Sequence, residues 1–94
     1  MATYLMLGKY SAEAQREISA ERTRRASEVV KKCGGKVISI HALLGNHDVA
    51  ILLNLPGNKE ATKASLGLSQ LTGIAFTTSP AIEVRDFDKL VSVG

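Results

Sequence analysis

At 94 residues the chain has room for one domain, residues 1–94, and a chain this short buries little more than ~60% of its unfolded surface, so its core must be thin. Apolar residues at 45% and charged residues at 22% exclude a disordered chain. The net charge of +3, from 12 basic and 9 acidic residues, is interleaved rather than striped. Arg16, Arg22, Arg24, Arg25, Lys31 and Lys32 alternate with Glu13, Glu17, Glu21 and Glu28, the pattern of a solvated helix face, so no nucleic-acid partner is expected. The longest apolar runs, Tyr4 to Leu7 and Val49 to Leu53, fall far short of a bilayer span, and no membrane partner is expected. The single cysteine forms no internal disulfide, and MATYLMLGKY lacks the basic flank and cleavage site of a secretory signal, so the expected location is the cytoplasm.

In chain order, Thr3 to Tyr10 is a short apolar run that reads as a first strand, and Ser11 to Ile18 as a turn or short irregular helix. Ser19 is placed to cap a helix in which Ala26, Val29, Val30 and Cys33 follow the i, i+3, i+4, i+7 rule, and Gly34 and Gly35 end it. Lys36 to Leu55 then reads KVISIHALLGNHDVAILLNL, two β-branched runs parted by Gly45, Asn46, His47 and Asp48, which is a hairpin of two antiparallel strands. Pro56, Gly57 and Asn58 open a second helix whose inner face is Ala61, Ala64, Ser65, Leu68 and Leu71, with Gly73 as its stop. Ile74 to Val84 reads as a fourth strand, which Pro80 confines to an edge or a bulge because proline has no amide to donate. Arg85 to Gly94, with Phe87, Leu90, Val91 and Val93, carries enough apolar surface to dock on the domain.

The order β, α, β, β, α, β is that of a ferredoxin-like α+β domain: a four-stranded antiparallel sheet, two helices on one face, and the first and third strands at its centre. Two helices cover one face only. Strand VAILLNL is apolar on both, with Val49, Ile51, Leu53 and Leu55 on one side and Ala50 and Leu52 on the other. In the strand before it, alternation sets Ile38, Ile40, Ala42 and Leu44 against Val37, Ser39, His41 and Leu43. An apolar sheet face left open would exceed what a monomer tolerates, so a second copy of the chain is expected to cover it, giving a homodimer or a higher even-numbered oligomer.

YLMLGKYS, the GGK after the first helix, the ALLGNHDVAILL hairpin and SLGLSQLTGIAFTTSPA together resemble the GYD domain family, small bacterial and archaeal proteins named for a Gly, Tyr, Asp signature in this hairpin. Gly45 and Asp48 match the signature, and His47 stands at the tyrosine position. The resemblance implies a fold of the dimeric α/β barrel type and carries no established activity with it. A similar hairpin occurs in the effector domains of transcriptional regulators that bind amino acids between subunits, but this chain has no helix-turn-helix to accompany it.

Gly45, His47 and Asp48 are expected to build the turn, with the Asp48 carboxylate accepting amide hydrogens there and fixing the hairpin register. His41 alternates with Ser39 and Leu43 onto the face expected to meet a partner. Asn54, Tyr4 or Tyr10, and Thr77 or Thr78 would add polar groups, so that His41, Asn54, Tyr4 and Thr77 form the candidate lining of a small-molecule cavity. His41, His47 and Asp48 lack the paired spacing of a metal site. Gly34, Gly35 and Lys36 follow a helix and precede a strand, the reverse of a phosphate loop, and no cofactor is expected. Cys33, at the negative end of a helix, reads as a packed thiol, and no nucleophile elbow is present. Two functions remain open: a homo-oligomeric module that binds a small molecule or serves assembly, and a cofactor-independent monooxygenase or isomerase with His41 as general base.

Overall fold

The computed structural model describes residues 1–92. Its elements are β1 (Ala2–Lys9), α1 (Ala12–Arg16), α2 (Ala20–Lys32), β2 (Lys36–Ala42), β3 (Val49–Leu55), α3 (Asn58–Thr72), β4 (Ala75–Ala81) and α4 (Val84–Ser92). The four strands form one antiparallel sheet in the order β2-β3-β1-β4, the ferredoxin-like arrangement. The strand with proline is at an edge, where a missing amide costs no ladder bond.

The starts of α1 and α2 and the end of α3 have local reasons. Ser11 Oγ accepts the Ala14 amide at 2.9 Å and Ser19 Oγ accepts the Arg22 amide at 3.0 Å, so two serines satisfy orphan donors at the starts of α1 and α2. Arg22 then reaches back, donating from Nη1 to the Ala14 carbonyl at 2.6 Å with its guanidinium 5.8 Å from the Tyr10 ring centroid. That one side chain ties α1, α2 and the end of β1 together. Gly73 ends α3 in the left-handed region at φ 72°, which a side chain would strain. Gly35 is needed for another reason: a Cβ there would lie 2.1 Å from the Asn54 carbonyl oxygen, so only glycine lets the chain leaving α2 pass so close to β3.

The core lies between the sheet and α2 with α3. Met6, Leu53, Leu55, Val30 and Leu68 are fully enclosed. Tyr4 belongs to this layer too, 3% exposed, with its hydroxyl donating to Asn58 Oδ1 at 2.7 Å. It therefore stands on the face opposite the one expected for a site residue, because it is paired with Leu53, and paired residues share a face.

Three further expectations need correction. A bulge between Val37 and Ser39 puts Val37 opposite Leu53, on the helix side, while Ser39 and His41 keep the open side opposite Leu52 and Ala50. β2 also ends at Ala42, leaving Leu43 and Leu44 in the loop. The C-terminal segment does not dock. It forms the helix α4, none of whose residues is buried, and the radius of gyration of 14.2 Å exceeds the roughly 12 Å of a compact chain of this length. Val93 lies outside the described residues.

Candidate functional site

The open face of the sheet reads directly from the strand register. Three rows cross it: Thr77, Leu7, Ala50, His41; then Ser79, Leu5, Leu52, Ser39; then Ala81, Thr3, Asn54, Lys36. The centre of each of the first two rows is apolar, and small polar groups or His41 stand at both ends. Leu5, Leu7 and Leu52 are half-buried with no element of the described chain above them. Thr3 Oγ1 donates to Asn54 Oδ1 at 3.0 Å, which holds the Asn54 amide flat in the third row.

His41, Asn54 and Thr77 thus share a face, as alternation predicts, yet they do not meet. His41 and Thr77 end the same row on opposite edges, three strand spacings or about 14 Å apart. Asn54 lies four residues along β3 from the Ala50 beside His41, about 13 Å. The chain therefore presents three separated polar points around an apolar patch, not a closed cavity. Thr3, Ser39 and Ser79 belong to the same ring of polar groups. Strand alternation alone passes over them, because hydroxyls this small have no signature until the register is known.

Tyr4 contributes to a different feature. Between α3 and β4 lies a cleft of about 410 Å³, bordered by Tyr4, Asn58, Ser65, Leu66, Thr78 and Pro80. It follows the line along which α3 packs on the edge strand β4. Its polar groups are largely engaged with one another: the Tyr4 hydroxyl on Asn58, and Thr78 Oγ1 donating to Ser65 Oγ at 3.1 Å. These pairs fasten α3 to β1 and β4. Thr78 is thereby a helix-face residue, and of the two threonines it is Thr77 that lies on the open side.

The hairpin end is built around Asp48, though not as a closed turn. Its Oδ2 accepts the amide of Tyr10 at 2.7 Å, and its own amide donates to the Gly8 carbonyl at 2.8 Å, while its carbonyl accepts the Leu43 amide at 2.9 Å. The carboxylate therefore clamps the end of β1 to β3 rather than capping amides inside the hairpin. Gly45, at φ 144° and with open space where a Cβ would stand, supplies the backbone reversal at the exposed tip. His47 is half-buried beside it, and Lys9 Nζ donates to the Asn46 carbonyl at 3.4 Å.

Among the described residues no group of three or more His, Cys, Asp or Glu side chains is placed to hold a metal ion, and no helix is long and apolar enough to cross a membrane. A search of curated proteins gives no match. The family model described as GYD domain matches residues 4–91, from the first core residue of β1 into α4 and across the Gly45 to Asp48 hairpin, and the chain belongs to the GYD domain family.

Proposed function

We propose that the protein is a homo-oligomeric binding or assembly module that pairs through the open face of its sheet. The observation that carries this reading is the central patch of Leu5, Leu7, Ala50 and Leu52, uncovered by any helix of the described chain and ringed by Thr3, Ser39, His41, Asn54, Thr77 and Ser79. Monomers rarely leave such a patch to water, and two copies packed face to face would bury the leucines against one another. The polar ring would then line the edges of the shared layer, and polar points that stand far apart in one protomer would be supplemented by those of the other. A small molecule held there would contact His41, Asn54 and Thr77 from the walls of an apolar slot, the usual make-up of a ligand site.

Sedimentation velocity with the Leu52→Glu variant tests this. A charge at the centre of the patch is expected to leave the circular dichroism spectrum unchanged while abolishing association through the sheet, so that an even-numbered oligomer falls to a smaller subunit number. A wild-type monomer, or an oligomer indifferent to the substitution, would refute the pairing. Native mass spectrometry of the wild-type protein then reads any retained ligand as added mass.

A further inference from the structure

We propose that α4 is an exchange arm that seats in the outer groove between α2 and α3 of a second copy of this chain. This contact is on the helix side of the molecule, and it does not depend on pairing through the sheet.

The arm has a defined polarity. At about 100° per residue, Val84, Phe87, Leu90 and Val91 fall within an arc of about 120°. Asp86 borders that arc on one side and Asp88 on the other, while Arg85 and Lys89 lie on the far side of the helix. Arg85 is already engaged, donating from Nη2 to Glu83 Oε2 at 3.1 Å. The stripe is bare: Val84 is 72% exposed, Leu90 68% and Phe87 53%. A helix with a continuous apolar stripe and no covered residue is unpartnered in the sense that precedes helix-in-groove docking.

The groove is its complement. It runs between α2 and α3 in two adjoining stretches of about 520 and 480 Å³. Val29, Cys33 and Leu66 form its apolar floor, and Leu66 is 60% exposed. Gly67 lets the two helices come together there, since a Cβ would lie 3.0 Å from Val29 Cγ1. Lys32 stands on the α2 wall and Lys59 and Lys63 on the α3 wall, with Glu60 as the single carboxylate between them among the described residues. An apolar floor between two basic walls fits an apolar stripe between two aspartates.

The occupant is a second copy because the chain's own arm does not reach. Three Cα steps from Ala81 to Val84 span at most about 11 Å. α3, about 10–12 Å across with its side chains, stands between β4 and the groove, and the path must also climb from the sheet to the outer side of the helices. What the arm can reach in its own chain is the cleft between α3 and β4, whose lining carries no charged group among the described residues.

The lone cysteine on the groove floor makes the contact directly testable. Chains carrying Val91→Cys together with Cys33→Ser are mixed with unmodified protein under mild oxidation. A disulfide joining the introduced thiol to Cys33 of the other chain is expected, and its yield should fall about tenfold when Lys32 and Lys63 of the unmodified partner are both replaced by Glu. The Leu52→Glu substitution should leave the yield unchanged, which separates this contact from the sheet pairing. Absence of the mixed disulfide overturns the proposal, as does a yield insensitive to the lysine substitutions. A chain with Val91→Cys alone that closes its disulfide internally overturns it in favour of a return onto the same protomer.

Discussion

The two faces of this sheet carry similar side chains and meet different fates. On one, Met6, Leu53 and Leu55 are sealed beneath α2 and α3; on the other, Leu5, Leu7 and Leu52 from the same strands stand half-buried with nothing of the described chain above them. Residue type does not distinguish the two sides. The placement of the helices does: α2 and α3 pack against one face, and no helix of the described chain packs against the other. A sheet apolar on both sides with a single layer of helices is thus a half-finished sandwich, and the pairing proposed above would supply its second layer from another chain.

The sharpest way to break this contrast is to truncate neighbouring residues of β3. Leu53→Ala should cost about 3 kcal/mol in urea unfolding, the range for a fully enclosed leucine. Leu52→Ala should cost about 1 kcal/mol or less at high dilution. If the open face pairs, that smaller cost grows with protein concentration, because association then contributes to the measured stability. Equal, concentration-independent losses at the two positions would erase the distinction between the faces.

Asp48 guards the same contrast at the hairpin end. It clamps β1 to β3, and a slip of one residue between strands would exchange inner and outer side chains. Asp48→Asn weakens the acceptor for the Tyr10 amide and should cost about 1–2 kcal/mol. His47→Tyr, which restores the tyrosine of the family signature, should stay within about 0.5 kcal/mol in the same unfolding assay. A reversed order would place the work of the turn on the middle residue of the signature.

The smallest effect lies on the solvated back of α2. Hydrogen bonding to Arg24 first, then the charge and hydrogen bond of Arg25, holds the Glu21 carboxyl below the usual glutamate range. A depressed carboxylate contributes stability that is fully present above its ordinary pKa and is lost as pH falls through the lower folded value. Glu21→Gln should therefore lower the melting temperature slightly at neutral pH, and the difference from wild type should vanish in acid. The group is fully exposed, so a large or pH-independent shift would contradict this origin.

Much of the fold was legible in the residues alone. Ser19 and Gly73 bound their helices through local chemistry that needs no tertiary context, and Pro80 names an edge strand by lacking a donor. VAILLNL sorts its own faces by strict alternation and does so correctly. The site was less legible. β1 is apolar at Leu5 and Leu7 as well as at Tyr4 and Met6, so alternation there has no preferred phase, and the face of Tyr4 follows only from its pairing with Leu53. The bulge that turned Val37 inward has no residue signature in β2.

By itself, then, the sequence determined the order of the four strands and of α2 and α3, the caps at Ser19 and Gly73, and the two-sided apolar character of the central strand, since these depend on neighbours a few residues apart. Tertiary structure alone decided which polar residues share the open face, how far apart they stand, and that α4 leaves the domain instead of covering it. Those outcomes depend on strand register and on the span of the connection after β4, which bring together or hold apart residues distant in the chain.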